Sequence, residues 1–328
     1  MPAISSPHPS EHLLIPFAGC SAAAWLPAVQ ALPRESTRHL SQLLQGMKQV
    51  HTDDADARTL SPPHERALAR ALGLTSAETP DGVIPWAASD AAEQLQAGAG
   101  QAWAWITPCY WAMGRDHATL TDPAALALRE DESRALLAAM QPYFETDGIT
   151  LHYLAPDRWL AEGELFRNLP TASLDRVLSR SVDAWLTDTH SARPLRRLQN
   201  EMQMLLYTHP LNDARAAQRQ QPVNSFWISG TGALPAGWDN AKEKISIPRS
   251  LALAVFNDDW ADYTQAWAAL DAGAVAQLLA RQRAGETVRL TLCGDRNAQT
   301  FETSRPSVFA RISSLLAPKP LWTVLEQL

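Results

Sequence analysis

Short apolar runs that read as strands alternate along this chain with segments whose apolar residues recur at helical spacing, and this alternation restricts the fold to the α/β class. "HLLIPFAG" (His12 to Gly19) is a strand-like run closed by glycine; "SAAAWLPAVQAL" and "STRHLSQLLQGMKQV" then carry helical spacing. "SPPHERALARALGL" has the marks of a bounded helix, with Ser61 as cap, Pro62 in the first turn, Glu65 placed to bond back and Gly73 as the stop. "AWAWITPCYW" reads as a buried strand, and a polar turn at "GRDHATLTDP" precedes the helix "REDESRALLAAMQPYF". "DGITLHYLAPDRWLA" reads as two strands around a turn at Ala155 to Asp157, and in "TASLDR" either Thr171 or Ser173 can cap a helix. A helix from Pro194 to about Leu206 is punctuated by Pro210 and Asn212, and "PVNSFWIS" is the next strand. Beyond the connector "GTGALPAGWDNAKEKIS" come the strand "LALAVF", the helix "DWADYTQAWAALDAGAVAQLLARQ", the strand "TVRLTLCG" and a last helix, "PSVFARISSLL".

Composition narrows the function classes. A chain of 328 residues that is 46% apolar can fill a sizeable core, and its longest apolar stretches fall short of the roughly 20 residues of a membrane span. A net charge of -7 opposes a polyphosphate partner, and the one Arg-rich stretch, "RPLRRLQNE", is short and helical, so neither nucleic acid nor membrane is an expected partner. Three widely spaced cysteines, with no CxxC or HExxH, point to reduced thiols, and Cys109 reads as a buried one. The segment "MPAISSPHPSEH" lacks the basic cap and apolar run of a secretory signal, so the cytoplasm is the expected compartment.

Three motifs carry a resemblance. "HPLNDAR" (His209 to Arg215), "PVN" (Pro222 to Asn224) and "WISGTG" (Trp227 to Gly232) stand in an order and spacing that resembles the closing part of the substrate domain in archaeal-type cofactor-independent phosphoglycerate mutases of the alkaline phosphatase superfamily. "AWAWITPCYW", "LTDPAALALREDESRALLAAM" and "GITLHYLAPDRWLA" resemble successive strands and a helix upstream, and "HERALARALGL" resembles the helix that bears the nucleophile. The likeness runs from about Ser61 to Gly232 and extends to a divergent bacterial group of mutase-like proteins, some of them regulatory. It implies a three-layer alkaline-phosphatase-like α/β core from residues 1–101 and 233–328, with an inserted α/β substrate-type domain at 102–232.

The same resemblance implies a two-metal site and a serine nucleophile, and the chain departs from both. The family's first strand ends in an Asp ligand where this chain has Phe17 and Ala18; its Ser-Asp falls at His64 and Glu65, with Ser61 three residues away. His64 and Ser61 are therefore the candidate catalytic residues, set against the plainer reading of Ser61 as a cap and His64 as a first-turn residue that packs or faces solvent. Of the later metal ligands, Asp258 and Asp295 stand as remnants while Arg296 replaces a His, too few anionic groups to hold two hard cations at close range. The substrate side is better kept: Arg158 and Arg215 stand at positions that resemble phosphate-binding arginines, which suits forked hydrogen bonding, although each can equally be a structural ion pair. His209, Asn212, Asn224 and Arg296 complete the candidate ligand set, and His152 and His190 could add donors.

These readings lead to a phosphoglycerate-mutase-like protein degenerate in catalysis, acting as a phospho-ligand-sensing, regulatory or interaction module. No cofactor is then expected, with a divalent metal, manganese or magnesium, as the alternative, and the partner is a small phosphorylated acid or another protein. The alternative is an active mutase or phosphohydrolase with an altered site.

Overall fold

The computed structural model describes residues 11–186, 192–239, 244–304 and 321–328. In chain order the elements are β1 (Glu11–Ile15), α1 (Trp25–Gln30), α2 (Arg38–Gln45), β2 (Met47–Asp53), α3 (Pro63–Ala71), α4 (Trp86–Gln94), β3 (Ala102–Cys109), β4 (Trp111–Met113), β5 (Ala118–Leu120) and α5 (Glu130–Thr146). There follow β6 (Thr150–Ala155), β7 (Arg158–Glu162), α6 (Leu174–Val177), α7 (Arg193–Tyr207), α8 (Pro210–Ala217), β8 (Ser225–Ala233), β9 (Ile245–Ser246), α9 (Ser250–Phe256), α10 (Trp260–Leu270), α11 (Ala276–Arg283), β10 (Val288–Cys293), β11 (Ala298–Thr303) and α12 (Leu321–Leu325). This is the mixed α/β class that the alternating pattern predicts. No helix among the described residues is long and apolar enough to cross a membrane.

Two compact units divide the chain: Met1–Arg58, Pro63–Leu72 and Ala241–Leu328 form one, and Thr59–Pro62 with Gly73–Asn240 form the other. The second thus holds 102–232 together with residues 73–101, residues 233–240 and a four-residue strap. Hydrogen bonds account for the strap: Leu60 and Ser61 donate their N–H groups to Asp81, and Ser173 donates to the carbonyl of Leu60.

In the first unit the strand order is β2-β11-β10-β1-β9, with β1 parallel to β10 and β9 and the β10-β11-β2 side antiparallel. The two-residue alternation of a strand sorts its side chains. Leu13, Ile15, Val288, Leu290 and Leu292 join Trp25, Leu40, Leu43, Tyr263, Trp267 and Leu278 from the helices in one core. Leu14, Cys293 and Ala298 point the other way, toward Ala67 of α3. With α1, α2, α10 and α11 on one face and α3 on the other, the unit has three layers.

The second unit is built on an antiparallel sheet of order β6-β7-β3-β8. Ala104, Ile106, Trp159, Ala161 and Phe226 face α5 and α7 through Leu136, Phe144, Leu198, Met202 and Leu206. The alternate residues Trp103 and Trp105 take the opposite face, where Trp105 reaches α4 by donating its indole N–H to Asp90 at 2.9 Å.

Several local expectations are corrected. "LALAVF" is helix α9: Leu251, Ala252 and Ala254 are buried while Leu253 is 45% exposed, a helical rather than alternating pattern, and Leu and Ala favour helix. The helix expected to run through Val50 stops at Gly46, and Met47–Asp53 is an edge strand whose middle five residues are exposed, so it carries no apolar alternation. β11 and the β4-β5 hairpin were not expected, and Pro210 opens a further helix, α8, at its first position, where its missing N–H costs nothing. Ser173 does cap α6, accepting from the N–H of Asp175. The expected last helix and His190 lie outside the described residues.

Candidate functional site

The motifs that carry the resemblance act inside the second unit as fasteners. Asn212 is buried; its amide donates to the carbonyls of Leu206 at 2.7 Å and Val223 at 2.8 Å, and its oxygen accepts from the N–H of Val223 at 2.9 Å. Asn224 pairs with Trp111 like a strand residue, accepting from its N–H at 2.8 Å and donating to its carbonyl at 3.0 Å. An amide side chain suits both places because it offers a donor and an acceptor side by side. His209 caps α8 by accepting the N–H of Leu211 at its Nδ1.

Arg215, expected to meet an anion, is wholly buried instead. Its guanidinium donates to Glu132 at 2.9 Å and to the carbonyls of Gln221 at 2.8 Å and Leu126 at 2.5 Å. With a carboxylate and two carbonyls for partners and no exposed surface, it is a structural ion pair. The glycines of "SGTG" are likewise explained by packing. Gly230 sits at φ +64 and an added Cβ would lie 2.8 Å from the Trp105 ring, while one on Gly232 would lie 3.1 Å from Pro85. They let β8 approach α4 and Trp105 closely.

Arg158, at the start of β7, differs from Arg215. Its guanidinium lies 4.7 Å from the centroid of the Trp105 ring and its side chain is 47% exposed. NH1 is 4.0 Å from the Asp90 carboxylate, an ion-pair distance too long for a hydrogen bond, and the guanidinium donates none to the described residues. Asp90 is pulled two ways: burial, aided by Glu93, raises its carboxyl above the ordinary range, against the charge of Arg158 and the hydrogen bond from Trp105. Farther along the same face, the His152 ring lies tilted against Trp103 with centroids 5.4 Å apart, and 4.0 Å from Glu162, which accepts from Gln101. The Arg158, Trp105 and Asp90 grouping joins three separate elements, and nothing in the spacing of Asp90 marks it in the sequence.

Ser61 and His64 belong to different units. Ser61, in the strap of the second, is 4% exposed and its hydroxyl accepts the N–H of Gly82 at 3.1 Å. His64, on α3 of the first, is 4% exposed and its ring centroid is 5.8 Å from that of Phe17. Phe17 itself sits at φ 55, a conformation costly for a bulky side chain, and packs edge-on against Phe256 at 5.0 Å. Tyr263 fastens this turn by donating to the Phe17 carbonyl at 2.9 Å. The end of β1, where the resemblance puts a metal-binding carboxylate, therefore holds an aromatic side chain packed among other rings.

The remnant carboxylates have local duties. Asp258 accepts the indole N–H of Trp260 at 2.6 Å, and the neighbouring Asp259 caps α10. Asp295 accepts the backbone and hydroxyl of Ser21. Among the described residues neither Asp258 nor Asp295 joins two further His, Cys, Asp or Glu side chains in a group close enough to share a cation, so this pair does not fit the two-metal donor set. Arg296 is exposed, and its carbonyl accepts from Arg66, which also forks onto Asp53. Burial pushes the Cys109 and Cys293 thiols well up, which leaves both as inert thiols at neutral pH.

No family model matches this chain, and no curated protein matches it. Among solved structures, the chain is similar to the PH0037 protein from Pyrococcus horikoshii at 11% identity and a TM-score of 0.47, over 90% of this chain and 88% of that one. It is also similar to a cofactor-independent phosphoglycerate mutase from Thermoplasma acidophilum DSM 1728 at 12% identity and a TM-score of 0.37, over 96% and 98% of the two chains.

Proposed function

We propose that this chain is a phosphoglycerate-mutase-like protein degenerate in two-metal catalysis, and that its second unit binds a small phosphorylated acid at Arg158 as a sensing or regulatory module. The observation that carries the reading is the state of Arg158. Its guanidinium is half-exposed, seated on an indole ring and paired with Asp90 only at 4.0 Å, whereas Arg215 is buried and fully partnered. A guanidinium with its fork open to solvent can give two parallel hydrogen bonds to a phosphate or carboxylate, and the Trp105 ring beneath restricts its orientation. The loss of metal chemistry is supported by Phe17 at the end of β1 and by the local duties of Asp258 and Asp295.

Calorimetric titration of the whole chain with 3-phosphoglycerate and with inorganic phosphate tests the reading. Saturable binding that is lost in Arg158→Met, with melting temperature unchanged, is the expected result. Binding that survives Arg158→Met, or no binding at all, overturns it. Conversion of 3-phosphoglycerate to 2-phosphoglycerate on addition of manganese would instead establish an active enzyme.

A further inference from the structure

Resting on that reading, we infer that Asp90 is a built-in competitor for the anion at Arg158, an autoinhibitory carboxylate that sets the affinity of the site. The geometry has three parts. First, Asp90 is fixed independently of Arg158, because its Oδ2 accepts the Trp105 indole N–H at 2.9 Å, and Trp105 is the ring on which the guanidinium rests. Second, Oδ2 stands 4.0 Å from NH1 of Arg158: close enough for strong charge attraction, too far to occupy a donor. Third, both side chains reach solvent, Arg158 at 47% and Asp90 at 31% exposure, so an anion approaches the guanidinium beside the carboxylate.

A ligand anion that forks onto Arg158 must therefore come near a fixed negative charge. It must also outbid the attraction that this charge already exerts on the guanidinium. The carboxylate thus lowers affinity without blocking the donors, and a neutral group of the same shape relieves the repulsion while keeping the Trp105 hydrogen bond. Glu93 on α4 adds to the local negative potential, and Arg158 on β7 opposes it.

The test compares wild type, Asp90→Asn, Arg158→Met and the double variant by titration with inorganic phosphate and with 3-phosphoglycerate at low and high salt. Asp90→Asn should bind both anions about tenfold more tightly at low salt, with the gain shrinking at high salt and vanishing in the double variant. Asp90→Ala should move affinity in the same direction and serves if the amide perturbs α4. Unchanged or weaker binding in both Asp90 variants, alongside wild-type binding that requires Arg158, overturns the competitor role and leaves the site intact. Binding in Asp90→Asn alone, dependent on Arg158, overturns wild-type sensing as proposed while supporting the competitor role of Asp90. Absence of Arg158-dependent binding in every protein overturns the inference and the proposed function together.

Discussion

Replacing Arg215 by Met separates a structural arginine from a ligand arginine. The side chain is fully buried and Glu132, its partner, is 4% exposed. Methionine restores most of the volume but leaves the Glu132 carboxylate in the core with the backbone N–H of Arg129 at 3.0 Å and the Arg129 guanidinium no nearer than 3.9 Å. The carbonyls of Gln221 and Leu126 lose their donors as well. Breaking a buried, hydrogen-bonded ion pair from one side costs about 3–5 kcal/mol, and the remaining contacts of Arg129 place this case near 3 kcal/mol. That is a large part of the roughly 5–15 kcal/mol that holds a typical domain together. Urea unfolding followed by tryptophan fluorescence should show the midpoint falling with little change in slope. Arg215→Met with Glu132→Leu should recover part of the loss, since an apolar pair replaces the stranded charge. Phosphate and 3-phosphoglycerate affinity of the folded fraction should stay within about twofold of wild type, well under 1 kcal/mol. A stability loss below about 1 kcal/mol, together with a tenfold fall in anion affinity, would refute the structural assignment.

Three further outcomes follow from the same contacts. His12 is buried against Thr291, and burial, then the charge of Arg289, lowers its imidazole from 6.5 to about 3. The unfolded chain therefore takes up a proton first, and stability is lost as pH falls below about 6.5. By pH 5 this residue alone should cost about 2 kcal/mol, seen as a pH-dependent unfolding midpoint that flattens in His12→Asn. Burial by itself would raise the Asp53 carboxyl, but the hydrogen bonds and charges of Arg66 and Arg70 outweigh it and hold the group below its ordinary range. Its contribution is present above about pH 4 and disappears as pH falls through the lower folded value, so Arg66→Met should destabilise the chain at pH 7 by about 2 kcal/mol and by less at pH 3 in the same unfolding assay. Asn224→Ala removes both hydrogen bonds to the Trp111 peptide and should cost about 1–2 kcal/mol of unfolding free energy while leaving 3-phosphoglycerate affinity unchanged.

What the sequence discloses follows from where the physics is local. Strand and helix alternation is written into Leu13, Leu14 and Ile15, or into the two-face sorting of "AWAWI", because period and burial are properties of neighbouring residues. "LALAVF" misleads because six apolar residues fit either period, and β2 is silent because an exposed edge strand has no buried face to pattern. At the site, the motif residues were legible as a set but their work was not. Asn212, Asn224 and Arg215 look the same in a string whether they hold backbone or ligand, and only the partners Val223, Trp111 and Glu132 decide. Asp90 was invisible for the converse reason, since its significance comes from Trp105 and Arg158, which reach it through tertiary packing.

The proposed function has a phosphorylated acid bind this chain without a divalent metal. Titration of the purified chain with 3-phosphoglycerate, with manganese supplied or chelated, tests it most directly. One saturable isotherm with the same affinity in both conditions is the expected result. Binding that appears only with manganese would contradict it.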